Sequence, residues 1–241
     1  MKGQFLNKAF HTLTEAFQNC LKRFPTTVCF VFALTAYLAY LVSTEMEDER
    51  KLTLVLGYYF SVGTLLSLTL HLWSEEIKNR VKGISVHIMM HVLLIADAVY
   101  LYSLSPERSL TEISIAHGAA ILALWLSVFF LSFTKEKNDI PSWNFASYTV
   151  GAFVTANVVG LIMSGGISLL VFSLHQLFDV DVSWKCYLYI LTICSVLLPM
   201  LLFLGMLPKD ELKHNQEPQP SEFLNGTIHF LFLPLMAGYL L

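Results

Sequence analysis

The sequence predicts an all-α protein, a polytopic transmembrane helix bundle with six complete spans and a seventh at the C-terminus, preceded by an N-terminal amphipathic interfacial helix. Two observations predict this fold. Of the 241 residues, 55% are hydrophobic and only 14% are charged, a balance typical of chains that lie mostly in lipid. The apolar residues also gather in runs of about 20, the length of helix that crosses a bilayer core of about 30 Å. These features exclude a soluble globular protein.

The first predicted element is an amphipathic helix over residues 1–24. Its apolar side chains recur at helical spacing, with Lys2, Lys8, Gln18 and Lys22 largely between them. The apolar set is Phe5, Leu6, Ala9, Phe10, Leu13, Ala16, Phe17, Cys20, Leu21 and Phe24. We expect this helix to anchor the N-terminus at the membrane interface; a lipid-sensing or partner-docking helix is the alternative. The transmembrane domain then covers residues 25–241.

Six apolar runs are each long enough to cross the bilayer. They cover residues 26–43, 52–73, 83–103, 113–133, 145–168 and 184–207. A seventh run, 225–241, is still apolar at the last residue. We therefore expect the chain to be a fragment or an N-terminal domain, from which a C-terminal soluble domain is absent.

The positions of lysine and arginine predict that the N-terminus faces the cytoplasm, because cationic loops close to a span resist translocation. Of the 15 cations, the segments that would then lie inside carry all but Arg50, Lys51, Arg108 and Lys185. The net charge of −3 leaves no extended basic surface, so we expect the lipid bilayer and not nucleic acid as the partner.

The fifth run has a ladder of small residues at every fourth position: Ala152, Ala156, Gly160, Ser164 and Ser168. Such a stripe lets two helix backbones approach closely, within one chain, in a homo-oligomer or against a membrane partner. As one helix, residues 145–178 would measure about 51 Å, which exceeds a bilayer core. We therefore predict a break or bend near Gly165 and Gly166, and further bends at Pro199 and Pro234.

The candidate site residues are the ionisable and amide side chains within the spans, because such groups are costly in lipid. His87 and His91 stand four apart on the third span, and His71 lies at similar depth on the second. Their spacing fits interhelical hydrogen bonding, which we favour, or a proton relay, or metal or haem binding. Asp97 and Asn157 fit either a proton or coupling-ion site or a structural pair, with a tyrosine hydroxyl as the other partner for Asp97.

No motif of the standard soluble enzymes is present: the sequence lacks G-x-x-x-x-G-K-[ST], G-x-G-x-x-G, H-E-x-x-H and G-x-S-x-G. The four cysteines include no C-x-x-C pair, and we expect them to pack as small apolar side chains. The sequence therefore predicts no enzyme activity, no catalytic residue, no metal ligand and no cofactor.

Three short motifs carry a resemblance to a known family. They are Arg23-Phe24-Pro25 before the first span, Leu177-Phe178-Asp179-Val180 after the fifth, and Phe232-Leu233-Pro234-Leu235 with Tyr239 in the last. With the order of spans, they resemble the domain-of-unknown-function 4153 family of bacterial multi-pass membrane proteins. The resemblance implies a bundle in the bacterial inner (plasma) membrane and supplies no activity, substrate or site residue.

Two functions follow as hypotheses. The first is a non-enzymatic membrane module that anchors, assembles or senses. The alternative is a small secondary transporter with a proton- or ion-coupling site at Asp97, Asn157 and the histidines His71, His87 and His91, motivated by the predicted break in the fifth helix. An intramembrane enzyme is the least favoured, because no catalytic arrangement is recognisable.

Overall fold

The computed structural model describes residues 20–44, 50–77, 79–104, 106–134, 136, 138–179, 181–209 and 213–214. The first four long helices are α1 (Pro25–Ser43), α2 (Arg50–Ser74), α3 (Arg80–Ser103) and α4 (Pro106–Phe130), the last continued by a 3₁₀ turn at Leu131–Phe133. They are followed by α5 (Ile140–Phe178), α6 (Trp184–Thr192), a π-helical stretch (Ile193–Leu197) and α7 (Leu198–Met206). The described residues contain no strand.

Six helical segments among the described residues are long and apolar enough to cross a membrane. They are Pro25–Ser43, Lys51–Ser74, Val81–Ser103, Thr111–Phe133, Ile140–Phe178 and Trp184–Met206, the last comprising α6, the π stretch and α7. The all-α fold with six predicted spans is thereby confirmed. The predicted seventh span and the interfacial helix, except for its last residues 20–24, lie outside the described residues.

The helix ends carry recognisable signals. Pro25 lies in the first turn of α1, where its missing N–H removes no intrahelical hydrogen bond. Asn79 caps α3 by accepting a hydrogen bond from the Val81 backbone N–H (3.1 Å). At the end of α5, Asp179 takes a left-handed conformation (φ 53°), which stops the helix before the loop to α6.

Helix α2 is the centre of the first four helices. It packs against α1, α3 and α4, and 56% of its most apolar window is buried, against 11 to 28% for the other spans. The sixth span packs against α5 and α1. The apolar side chains that α3, α4 and α5 turn outward are therefore expected to contact lipid.

Helix α5 runs unbroken for 39 residues, so a break at Gly165 and Gly166 is wrong, and the predicted alternative of a bend there stays a prediction. Neither glycine has a positive φ, and a Cβ on either would meet open space. A glycine in a helix interior costs only about 1 kcal/mol relative to alanine, which does not suffice to end a long apolar helix. At about 58 Å, α5 is longer than a bilayer core, so its excess length lies beyond the core or is taken up by tilt.

The small-residue ladder packs inside the chain, against the sixth span. Ala152, Ala156, Gly160 and Ser164 are buried, and a Cβ on Gly160 would overlap the Cys194 carbonyl oxygen and the Pro199 ring. Pro199 follows the π-helical stretch, in which the N–H of Leu198 bonds to Ile193 O, five residues back. The wider turn accommodates the proline ring and the missing N–H. Pro234 lies outside the described residues.

Candidate functional site

Charged side chains gather at one end of the bundle, which we call the charged end. Four parts of the chain meet there: the residues just before α1, those just after α2, Glu136 beyond the 3₁₀ turn, and the residues after α7. Their side chains are Arg23, Glu75, Glu76, Glu136, Lys213 and His214. The predicted topology assigned all of these segments to the same side of the membrane.

The Arg23 guanidinium joins two of these segments. Its Nε donates to Glu75 Oε1 (2.7 Å) and its Nη2 to Glu75 Oε2 (3.1 Å), a two-point contact that suits the planar fork of arginine. The same side chain donates to the carbonyl oxygens of Leu207 (2.8 Å) and Pro208 (2.9 Å). Arg23 thus fixes the end of α2 to the residues that follow α7.

The ionisation of Glu75 reflects these contacts. Burial alone would raise the pKa of its carboxyl group, but the hydrogen bonds and charge of Arg23, together with the Lys213 ammonium, hold the pKa below its usual range. Glu75 is therefore a carboxylate in the folded protein at neutral pH.

Lys213 is only 2% exposed, an unusual position for an ammonium group. Its Nζ donates to the Leu72 carbonyl oxygen (3.1 Å), Glu75 Oε2 (3.3 Å) and Glu76 Oε1 (2.6 Å), so all three of its donors have partners. The adjacent His214 places Nε2 at 3.2 Å from Glu76 Oε1 and Nδ1 at 3.1 Å from Glu136 Oε1. His214 therefore bridges Glu76 and Glu136.

A cavity of about 420 Å³ opens at the charged end. Its lining residues are Arg23, Glu75, Glu76, Lys209, Lys213 and His214. Glu75 and Glu76 form ion pairs with Arg23 and Lys213, so the cavity walls hold the end of α2 to the residues before α1 and after α7. We call this set of ion pairs the clamp.

Three imidazoles lie in contact inside the bundle, between α2 and α3. The ring centroids of His71 and His87 are 4.6 Å apart, and the rings of His87 and His91 stack with centroids 5.6 Å apart. We call these three residues the histidine column. His71 Nε2 also shares a hydrogen bond with the Thr26 hydroxyl (2.6 Å), which in turn bonds to Ser67 Oγ (2.6 Å).

The hydrogen bonds of the column define its chemistry. His91 Nδ1 donates to the His87 carbonyl oxygen (2.8 Å), which leaves Nε2 of His91 as an acceptor. The Nε2 atoms of His87 and His91 are buried, and the described residues supply no hydrogen-bond partner for either. Nor do the described residues contain a group of three His, Cys, Asp or Glu side chains that could hold a metal ion. The arrangement suits proton binding better than metal binding.

Asp97 and Asn157 have separate partners. Tyr58 donates its hydroxyl to Asp97 Oδ2 (2.5 Å), and the Tyr58 ring contacts His117 edge-on with centroids 5.7 Å apart. Asn157 Nδ2 instead donates to the Phe153 carbonyl oxygen of its own helix (2.8 Å). The structure therefore places the three candidate histidines in contact and pairs Asp97 with Tyr58. Asp97 and Asn157 are not hydrogen-bonded to each other.

Sequence reasoning missed the glutamates of the charged end and their partner His214. It expected a tyrosine hydroxyl as one partner for Asp97 but did not identify Tyr58. One signal was available, since Glu75 and Glu76 lie just beyond an apolar run, on the side of the membrane where the predicted topology also places Arg23 and Lys213. The pairing itself joins residues more than 50 positions apart and is not readable from spacing.

No protein-family model, no curated protein and no solved structure matches the chain. The resemblance to the domain-of-unknown-function 4153 family therefore stays a prediction, and function has to be argued from the residues themselves.

Proposed function

We propose that the protein is a non-enzymatic membrane module whose helical bundle anchors the chain beyond the sixth span at Lys213 and His214. The observation that carries this proposal is the clamp on Lys213, a buried ammonium held by Glu75, Glu76 and the Leu72 carbonyl. Residues held in this way move together with the helix ends. Anchoring, assembly and sensing all require such a fixed connection.

The energetics support anchoring over a passive surface contact. Exposed ion pairs contribute about 0 to 1 kcal/mol, but an ammonium at 2% exposure cannot lose its partners without leaving an uncompensated buried charge. Breaking the contacts of Lys213 while its side chain stays buried is therefore strongly unfavourable.

Trypsin cleavage after Lys213, followed by mass spectrometry on protein in lipid nanodiscs, tests the proposal. We expect the native protein to resist cleavage there and the Glu75→Gln, Glu76→Gln double variant to be cut at least about tenfold faster, because each lost charge-assisted hydrogen bond is worth about 1.5 to 3 kcal/mol. Lys185→Gln, at the opposite end, is the matched control and should leave the rate unchanged. Equal cleavage of the double variant and the native protein would contradict anchoring.

The histidine column and the Tyr58–Asp97 pair favour a second candidate, a small proton- or ion-coupled secondary transporter. The expectation of a broken fifth helix no longer supports it, because α5 is continuous. Proton uptake into liposomes containing the protein, followed with a trapped pH dye, tests this candidate. Loss of uptake in Asp97→Asn would support it, and unchanged uptake would remove Asp97 from the mechanism.

A further inference from the structure

We propose that the face of α3 around Asp97 is a docking surface for a transmembrane helix of another protein that carries a lysine or arginine at the matching depth. This goes beyond the anchoring function, since the face lies toward the end of α3 away from the charged end and uses none of the Lys213 contacts. Three observations carry it: the depth of Asp97, the open face on which it lies, and the lack of a matching cation in the described spans.

Asp97 lies well inside the part of α3 that can cross a membrane. This span, Val81–Ser103, has its middle at Val92, and Asp97 follows that middle by five residues. At 1.5 Å per residue the distance is about 8 Å along the helix, whereas a bilayer core extends about 15 Å to either side of its midplane. An ionisable side chain at this depth is costly in lipid, so it is expected to have a polar or charged partner.

The partner that the structure gives Asp97 leaves part of its carboxyl group unused. Oδ2 accepts the hydrogen bond from the Tyr58 hydroxyl of α2, but the described residues provide no hydrogen-bond partner for Oδ1. Asp97 is also exposed, whereas Tyr58 is buried beneath it and contacts His117 of α4. A carboxyl group can accept several hydrogen bonds, so Asp97 keeps the capacity to bind a donor from outside the described bundle.

The surface around Asp97 is apolar and open. Met89, Leu93 and Tyr100 lie on the same side of α3 as Asp97, at spacings of eight, four and three residues, and each is 54 to 58% exposed. We call these four residues the acidic strip. Because α3 packs mainly along α2 and makes few contacts with α4, the described helices leave the strip uncovered. The strip is thus a helix face with one carboxyl group among apolar side chains.

The carboxyl group determines which kind of helix fits the strip. A lysine or arginine of a second helix can donate to Asp97 Oδ1 while the Tyr58 hydroxyl stays on Oδ2. In lipid such a pair satisfies two costly groups at once, because each charge is the partner that the other needs. An entirely apolar helix can pack against Met89 and Leu93 but leaves the oxygen without a donor. Charge complementarity therefore favours a basic partner helix over an apolar one.

This chain offers no such cation at the depth of Asp97. The described spans contain no arginine, and their lysines, Lys51, Lys82 and Lys185, are each the first or second residue of a span. Lys51, at the same end of the bundle as Asp97, already donates to the Leu104 carbonyl oxygen. The apolar run 225–241 has neither lysine nor arginine in its sequence. The charge therefore points to a different protein, and not to a second copy or to this run.

Fluorescence energy transfer between the labelled protein and synthetic transmembrane peptides in liposomes tests the surface. The probe is a leucine–alanine helix as long as the α3 span, with one lysine five residues from its centre; matched peptides carry glutamate or leucine at that position. We expect the native protein to bind the lysine peptide about tenfold more tightly than either of the others, the size of a strong polar contact between membrane helices. Equal binding of the three peptides, or binding of the glutamate peptide as tight as that of the lysine peptide, would overturn the proposal.

Three variants assign the preference to Asp97. Asp97→Asn should bind all three peptides alike, whereas Asp97→Glu, which keeps the carboxyl group, should still prefer the lysine peptide. Asp181→Asn is the matched control: it removes a carboxylate from the loop between α5 and α6, outside the spans, and should keep the native preference. A preference that persists in Asp97→Asn would overturn the proposal. So would energy transfer between two labelled copies of the native protein that Asp97→Asn abolishes, because a second copy would then occupy the strip.

Discussion

At the scale of single residues, burial decides the chemistry of Cys20. Burial raises the pKa of its thiol to about 11, against the opposing charges of Lys209 and Arg23. Because the thiolate is the reactive form, we expect alkylation by iodoacetamide at pH 8 to be on the order of a hundredfold slower than for an ordinary thiol. Mass spectrometry of the native protein against the denatured chain checks this. Equal rates in the two states would contradict it.

Tyr58 and Asp97 form the second case at this scale. Their 2.5 Å hydrogen bond predicts that the two side chains are energetically coupled. In a double-mutant cycle with Tyr58→Phe and Asp97→Asn, measured by thermal unfolding in detergent, we expect a coupling free energy of about 1 kcal/mol, the upper part of the range for hydrogen bonds inside membrane proteins. Strictly additive effects would show that the bond contributes nothing.

The sequence predicts that two residues lie on the same face when both belong to one helix. A contact between two helices also depends on their relative rotation, which the sequence does not give. The four-residue spacing of His87 and His91 places both on one helix face directly, and counting from the span ends puts His71 at the same depth. The Tyr58–Asp97 bond needs the relative rotation of α2 and α3, which no spacing gives. To predict the contacts of Lys213 with Glu75 and Glu76, one must know where the chain runs more than 130 residues further along.

At the scale of elements, the six spans were predictable because a bilayer sets one length and one composition for all of them. The same length rule misled at α5, where a helix longer than the bilayer was taken to need a break. The sequence also did not indicate which helix packs against the small-residue ladder, because such a stripe allows close packing within a chain or between chains.

Two glycines of α5 distinguish the effect of close helix packing from the effect of helix propensity. Gly160 faces Cys194 and Pro199 with no room for a methyl group, whereas a Cβ at Gly165 meets nothing. We expect Gly160→Ala to lower the free energy of unfolding by about 1 to 3 kcal/mol through overpacking, and Gly165→Ala to be neutral or slightly stabilising. Unfolding in mixed micelles followed by circular dichroism compares them. Equal effects of the two substitutions would mean that the close approach at Gly160 is not required.

At the scale of the whole molecule, the charged end ties together segments from both ends of the described chain, because Arg23 and Lys213 contact the end of α2 from opposite directions in sequence. The bundle should therefore respond as one unit to the loss of these contacts. Acid is the simplest way to remove them, since Glu75 supplies the carboxylate that Arg23 and Lys213 share.

The direction of that response follows from the pKa of Glu75. Burial would raise it, but Arg23 and Lys213 hold it below the value of about 4.3 for an unfolded glutamate. The carboxylate therefore contributes stability above about pH 4.3, and this contribution is lost as the pH falls through the lower pKa of the folded protein. We expect the melting temperature to fall on acidification below about pH 4.3, and Glu75→Gln to melt lower at pH 6 with a flatter dependence on pH.

Thermal unfolding in detergent between pH 3 and 7 measures both quantities. Asp179→Asn is the control, because it also replaces a carboxylate by an amide but lies at the end of α5 far from the charged end. Asparagine tolerates the left-handed conformation of this position, so we expect the variant to keep the pH dependence of the native protein. Should Glu75→Gln run parallel to the native protein at every pH, the acid response would have to come from other carboxylates, and Glu75 would not be the group that couples the ends of the chain to the bundle.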